Sequence, residues 1–514
     1  MTRAAFMNLT VAATIALVAV GCSNEAGTHP AARSSSNVPV ATPSDIPSRV
    51  ALKSPTRLPN PSVAWHPCTG GFQCGSIRVP LDYEHPRGRH VALPLIRRQA
   101  SDPEHRIGSL LLDPGGPGAS GVEWLRSVWT LFSGLSQRFD LVAFDPRGVG
   151  QSSPLRCLSD SQLDRYFEIN PAPTSQRERR RWVVANKRYD HSCIDGDRKF
   201  LEHLSTRDTA RDMELIRRAV GDDKLTYMGF SYGTFLGEMY ASMFPSHVRA
   251  LALDAVIPPD LTLTQLIIGQ TRGFVKDLDD FFSWCTTNGC SLTRYGDPSG
   301  AFTHLVNLLQ NHPIPATADR DLTLGEAEYG VAEGLYDADS WPQLAEALTT
   351  AIEGSGSRLL AMFDNYALRD EHGHYANEFD AYNAIICTDH PAPSSAARYG
   401  ELAGKLKKRF GAFGSFIAWQ SLPCAFWPVR PEALPSGLGS HDLPPILYVG
   451  GTNDPATPYV WATQAHAETR GSILLTRVGD GHTSYGKSTC IHAAVDRYLI
   501  DLRLPPRHQR CTGS

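Results

Sequence analysis

The sequence predicts an α/β protein: a mostly parallel central sheet, wound on both faces by helices and interrupted by a helical insertion. Short continuous apolar runs such as Ser109-Leu110-Leu111-Leu112 and Leu141-Val142-Ala143-Phe144 have the length of strands buried on both faces. Helical patterns alternate with them, as Thr206 to Val220 does before the apolar run Lys224 to Met228. A Gly-x-Ser-x-Gly turn, Gly229-Phe230-Ser231-Tyr232-Gly233, joins that run to a helical pattern over Thr234 to Phe244.

Taken in order, the chain opens on a targeting segment. Arg3 precedes an uncharged apolar stretch, Leu9 to Val20, long enough for a signal-peptide core and too short for a membrane span. Residues 1–21 are expected to be removed. Ala19-Val20-Gly21-Cys22 resembles a bacterial lipobox, with alanine where leucine is usual, and makes Cys22 the expected lipidation site. Residues 22–64 are rich in Ser, Ala, Thr and Pro, with Pro30, Pro39, Pro43, Pro47, Pro55, Pro59 and Pro61. Such a stretch buries too little apolar surface to fold, and is expected to be a semi-extended tether from a lipid anchor.

From Trp65 the folded part begins. Strands are expected at Ser76–Tyr83, His90–Arg97, Ser109–Leu112 and Leu141–Phe144. The helix Thr206–Val220 has Thr206 as its expected cap and Gly221 past its end. A strand at Val248–Leu253 closes the first core segment, 65–259. Residues 260–440 lose the strand–helix alternation and read as a helical cap inserted into the core. The core resumes over 441–514 with strands at Pro445–Val449 and Ser472–Leu475 and a last helix near Thr489–Ile500.

A net charge of −4 over 514 residues gives no basis for nucleic-acid binding, and the cluster Arg177–Arg181 reads as a solvated helix face. With Cys22 set aside, ten of the 11 cysteines remain. An even set in an exported chain reads as a disulfide framework, and nearest-neighbour pairing gives 68–74, 157–193, 285–290, 387–424 and 490–511. No CxxC and no two-cysteine, two-histidine spacing is present, so neither a metal nor a cofactor is expected.

Glycine two residues either side of a serine, on a strand-to-helix turn, is the nucleophile elbow of α/β-hydrolases. A serine hydroxyl needs a base to take its proton and the base needs an orienting carboxylate. In this fold the order is serine, acid, histidine. His482, in Gly479-Asp480-Gly481-His482-Thr483, follows the last expected strand, Ser472–Leu475, whereas His492 falls in the last helix and His508 in the tail. Asp454, in Asn453-Asp454-Pro455-Ala456-Thr457-Pro458, is the expected acid; Asp254 is its rival, and Asp480 reads as a loop residue. The backbone N–H groups of Tyr232 and Gly116, the latter in Asp113-Pro114-Gly115-Gly116-Pro117-Gly118, are the expected oxyanion donors. That loop lacks the lysine and hydroxyl of a phosphate-binding loop.

Val79-Pro80-Leu81-Asp82-Tyr83, the Gly-Gly-Pro-Gly loop, Asp145-Pro146-Arg147-Gly148-Val149-Gly150-Gln151-Ser152, the elbow with Thr234, and Asp454 to Pro458 together resemble the secreted actinobacterial tripeptidyl aminopeptidases. This branch of the α/β-hydrolases is related to prolyl aminopeptidases and includes mycobacterial envelope lipoproteins described as serine proteases and carboxylesterases. The resemblance covers about residues 65–511 and implies the triad roles for Ser231, Asp454 and His482, with a structural role for Asp145–Ser152. It implies an exported serine hydrolase that acts on peptides at free N-termini. An esterase acting on acyl esters and a silent hydrolase-like binding scaffold are the alternatives. An aminopeptidase must bind a free amine. Glu326, Glu333, Asp337 and Asp339 of the insertion are available for it, although carboxylates on a helix surface are the commoner case. Oligomeric state stays open.

Overall fold

Why the central strands carry no alternating pattern is plain from their surroundings. Strands β1 (His66–Cys68), β2 (Phe72–Pro80), β3 (His90–Arg98), β4 (Gly108–Asp113), β5 (Phe139–Phe144), β6 (Leu225–Phe230) and β7 (Val248–Asp254) are followed by a small pair, β8 (Ile314–Pro315) and β9 (Asp321–Leu322). Then come β10 (Leu447–Asn453), β11 (Ile473–Asp480) and β12 (Arg510–Thr512). The main sheet has the order β1-β2-β3-β5-β4-β6-β7-β10-β11-β12. From β5 to β12 every pairing is parallel; β1, β2 and β3 form an antiparallel edge. Leu111, Val142 and Tyr227 pack into the core on one face, and Leu110, Leu112, Leu141, Ala143 and Met228 into a second core on the other. Side chains of a strand alternate between faces, so a strand with two apolar faces must be apolar throughout. The structure is a computed structural model and describes residues 61–431, 438 and 443–512, all in one packed unit. The leader, Cys22 and the proline-rich segment up to Asn60 lie outside the described residues.

The helices are α1 (Gly121–Val128), α2 (Asp160–Phe167), α3 (Gln176–Leu201), α4 (Thr206–Val220) and α5 (Tyr232–Met243), then α6 (Leu263–Asn288), α7 (Pro298–Asn311), α8 (Leu324–Leu335), α9 (Trp341–Ile352), α10 (Ser357–Tyr366), α11 (Glu378–Asp389) and α12 (Ala396–Gln420), and finally α13 (Tyr459–Glu468) and α14 (Thr489–Asp501). Seven of them, α6 to α12, stand between β7 and β10. A large, mostly parallel sheet with helices on both sides is the α/β architecture expected. Arg177, Arg179, Arg180 and Arg181 are exposed on α3.

Two details differ from expectation. The helix α4 is capped by Ser205, which keeps extended backbone (φ −78°, ψ 150°) and accepts from the Asp208 N–H at 3.2 Å. Thr206 is already helical, and its hydroxyl donates to Asp389 instead, at 2.5 Å. The first long strand is displaced: β2 begins at Phe72 and ends at Pro80, with the Leu81 N–H donating to the Arg89 carbonyl at 2.8 Å as the last rung to β3 before the chain bends over 81–87. Gly221 does follow α4, in the left-handed region at φ 87°.

The cysteines pair as 68–74, 157–193, 285–290, 387–424 and 490–511, with Cα–Cα distances of 5.8, 4.3, 4.8, 4.8 and 5.7 Å. Cys387–Cys424 ties α11 to the turn after α12, and Cys490–Cys511 ties α14 to the edge strand β12.

The turn Asp145–Ser152 folds around two buried groups. Asp145 accepts from Ser120 Oγ at 2.6 Å, Val122 N at 3.2 Å and Gln151 N at 2.8 Å. Arg147 is 1 % exposed and forks onto Asp212 of α4 at 2.7 and 2.8 Å, while donating to the carbonyls of Pro80, Leu81 and His203.

Candidate active site

The elbow is built by close approach. β6 ends at Phe230, and α5 begins at Tyr232 with Ser231 between them at φ 55°, ψ −122°. A non-glycine residue with positive φ is held there against its own preference. The Ser231 N–H donates to the Asp254 carbonyl at 2.9 Å, and its carbonyl accepts from Thr234 Oγ1 at 2.6 Å. The two flanking glycines are dictated by space: a Cβ on Gly229 would stand 2.3 Å from the Gly233 carbonyl oxygen, and one on Gly233 would stand 2.8 Å from Asp113 Oδ1. Asp113 is buried under the elbow and accepts from the Gly115 N–H at 2.9 Å; burial pushes its carboxyl up to about 7.

The loop that carries Gly116 lies against the elbow at Gly115. A Cβ there would fall 2.3 Å from the Phe230 carbonyl oxygen and 3.0 Å from both Ser231 Cβ and Tyr232 N. The sequence pointed to Gly116, and its neighbourhood is different: the nearest side-chain atom is Glu378 Oε1, 3.6 Å from where a Cβ would be. Gly118 packs on α11, with the Glu378 carbonyl 2.8 Å from its would-be Cβ.

His482 and Asp454 are brought together. Asp454 follows β10 and is 3 % exposed; its Oδ1 accepts from the N–H groups of Ala456 at 3.0 Å and Thr457 at 2.8 Å. Both its oxygens lie 2.9 Å from His482 Nδ1. A carboxylate only accepts, so Nδ1 carries the proton and Nε2 is left as a base. The His482 backbone N–H donates to the Tyr336 carbonyl at 2.8 Å, and the Tyr336 ring stands edge-on to the imidazole at 5.5 Å. A residue of the insertion thus holds the histidine loop.

Asp254 does something else. Its Oδ2 accepts from the Ser484 and Tyr485 N–H groups at 2.9 and 2.8 Å, just past His482. Its carbonyl holds Ser231 N–H, so it links the elbow to the His482 loop, while its carboxylate makes no hydrogen bond to the imidazole. Burial raises its carboxyl to about 6, against the two N–H donors. Asp480 ends β11 and is not in the loop; its Oδ1 accepts from Asn453 Nδ2 at 2.6 Å.

Of the four insertion carboxylates, Glu326 is spent in a capping box with Thr323 and on Arg320, and Asp337 pairs with Lys487. Asp339 is exposed. Glu333, on α8, is half-buried, and burial raises its carboxyl. Beside it stands Glu378, the first residue of α11, which the sequence did not single out. Burial, and then the Glu333 charge, push Glu378 up to about 7. Burial, then the charges of Tyr382, Glu333, Asp454 and Glu378, raise the Tyr336 hydroxyl, so both acids act on the residue that holds His482. The only sequence sign of Glu378 is its place at a helix start, where acids are ordinary.

The family model for the alpha/beta hydrolase fold matches residues 108–487. The chain is 37% identical over 477 residues to the serine protease Hip1 of Mycobacterium tuberculosis, covering 89% of this chain and 90% of that protein. It is 31% identical over 488 residues to a tripeptidyl aminopeptidase of Streptomyces lividans, covering 91% and 90%. It is 34% identical over 457 residues to carboxylesterase B of Mycobacterium tuberculosis, covering 85% and 86%. The chain belongs to the α/β-hydrolase family and is a serine hydrolase.

Proposed function

We propose that the enzyme is an aminopeptidase that releases short peptides from free N-termini through an acyl-enzyme. Ser231 Oγ attacks the scissile carbonyl as His482 Nε2 takes its proton, and Asp454 holds the imidazole and supports its positive charge. The N–H groups of Tyr232 and Gly116 take up the oxyanion. Nε2 then returns the proton to the departing amine. Water, deprotonated by the same nitrogen, releases the peptide acid and restores Ser231.

The observation that carries the choice of a peptide with a free amine is the pair Glu333 and Glu378. Among the described residues neither carboxyl has a cationic partner, and both are raised by burial. A substrate ammonium entering between them would supply the missing charge and be held a fixed distance from the oxyanion loop. The name of the Streptomyces relative agrees with this, and that of carboxylesterase B supports the second reading, an esterase. The test uses free and N-acetylated tripeptide anilides beside a short acyl ester. Cleavage of the free peptide that is lost on acetylation is the expected result; ester cleavage alone would favour the second reading.

Residues 260–440 act in this account as a cap over the site, consistent with the Tyr336 hold on His482 and the Glu378 approach to Gly116. The protein is placed on the outer face of the membrane by lipidation of Cys22, for which the sequence alone speaks. A Cys22→Ala chain should appear in the medium or fail to mature, while a wild-type chain that is never membrane-bound would end this idea.

A further inference from the structure

Behind Asp454, at the seam between α6 and the ends of β10 and β11, three carboxylates converge. Asp277 and Asp280 lie three residues apart on α6, on one helix face. Asp480 ends β11. One ligand oxygen from each lies within 4.8 Å of the others. Each has an oxygen to spare. Asp280 Oδ2 is engaged by Lys276 Nζ, and Asp480 Oδ1 by Asn453 Nδ2.

Asp277 is the informative member. It is 1 % exposed, yet its Oδ2 is buried with no hydrogen-bond partner. A buried carboxylate oxygen left unpaired is costly, more so when it is charged, and native folds rarely leave one without a ligand. Lys276 brings one positive charge to three negative ones. A cavity of about 550 Å³ reaches this place, lined by Asp277, Lys276, Asn453 and Asp454, and gives an ion a way in.

We propose that Asp277, Asp280 and Asp480 form a calcium site that fastens the insertion helix α6 to the strand ends carrying Asp454 and His482. The donors are all carboxylate oxygens, which suit a hard cation. The set is spread over two elements and half-open to water, which suits the adaptable shell of Ca²⁺ better than the strict octahedron of Mg²⁺. Asn453 and Asp480 each stand one or two residues from a proposed catalytic side chain, so the ion would steady both loops without meeting substrate. The site is independent of which substrate the enzyme takes.

The test is binding and stability, not turnover. The full-length protein, stripped with chelator and dialysed, is titrated with CaCl2 and with MgCl2 in a calorimeter, and its thermal unfolding is followed with and without calcium. The wild type should take up one Ca²⁺ per chain, with affinity of about 10⁻⁴–10⁻³ M as in extracellular modules, and unfold at a higher temperature when calcium is present. Asp277→Asn should bind none and lose the calcium-induced rise. Without calcium it should unfold no earlier than the wild type, because the unpaired charge is gone. Asp480→Asn, whose amide oxygen can still accept from Asn453, should lose binding too and serves if Asp277→Asn does not fold. No calcium uptake by the wild type, wild-type binding by either variant, or binding of magnesium at least as tight as calcium would overturn the proposal.

Discussion

Two aspartates stand at the ends of adjacent strands, Asp254 as the last residue of β7 and Asp454 just after β10, and spacing alone does not separate them. What separates them is the partner each accepts from: imidazole Nδ1 for Asp454, two backbone N–H groups for Asp254. With Asp454 as the orienting acid, Asp454→Asn should lower kcat by about 10⁴-fold, since an amide can donate to Nδ1 and favours the wrong tautomer. Asp254→Asn should cost far less, because its amide oxygen can still take both N–H bonds. Steady-state kinetics of the two variants checks this, and equal losses would count against the assignment. The elbow at Ser231 was legible because its turn and two flanking glycines fall within five residues, between a strand and a helix that each carry their own pattern. Glu378 was not, because only the fold carries the start of α11 to Gly116. Its raised carboxyl gives a signed pH effect. Below about 7 Glu378 is protonated and attracts no ammonium; above it the charge appears, so affinity for a free amine rises through that pH. The ratio of kcat/KM for a free tripeptide to that for a neutral ester should therefore climb around pH 7, any ionisation common to both substrates cancelling. In Glu378→Gln the ratio should stay flat and the peptide KM rise roughly 10–100-fold, as expected for a charge-assisted bond worth about 1.5–3 kcal/mol. A wild-type ratio that does not change with pH would refute this role.

At the scale of elements, the central strands were read from composition because two-sided burial leaves a mark on every residue. β1 and β12 were missed, since three residues carry no period to detect. The insertion was legible as helical, but not the way it grips the core. Part of that grip is made by Asn377, just before α11. Its Nδ2 donates to the carbonyls of Gly148 at 2.7 Å and Leu155 at 3.1 Å, and its Oδ1 accepts from Gly150 N at 3.0 Å. One side chain thereby satisfies three backbone groups of the turn after β5 and fixes the position of Glu378 next door. Removing it strands those groups. Asn377→Ala should cost about 1–3 kcal/mol in denaturant unfolding. It should also raise KM for the free tripeptide while leaving ester turnover near the wild-type value. A variant with lowered stability and unchanged peptide KM would mean that α11 is held by other contacts, such as Cys387–Cys424.

For the whole molecule, the difficult join is between the antiparallel edge β1–β3 and the parallel sheet with its helices. Arg147 makes it. Fully enclosed, it donates to the carbonyls of Pro80 and Leu81 at and just past the end of β2, to that of His203 before α4, and to both oxygens of Asp212 on α4. Tyr83 adds its hydroxyl to Asp212 at 2.6 Å. The motif Asp145–Ser152 pointed to a structural turn, but nothing in its spacing named Asp212, because the pairing is made across the sheet. A buried pair of this kind pays desolvation on both charges, so its net worth is small while the loss of one partner is severe. Arg147→Met should therefore destabilise by about 3–5 kcal/mol, leaving Asp212 charged and without its guanidinium and three carbonyls without donors. Arg147→Met with Asp212→Leu removes both charges and should recover part of that loss, though not the carbonyl bonds. The coupling energy from the two single variants and the double one, taken from equilibrium unfolding, measures the pair itself. A coupling indistinguishable from zero would mean that Arg147 holds the sheet through its carbonyl bonds and its 3.6 Å contact with Asp208, with Asp212 a bystander.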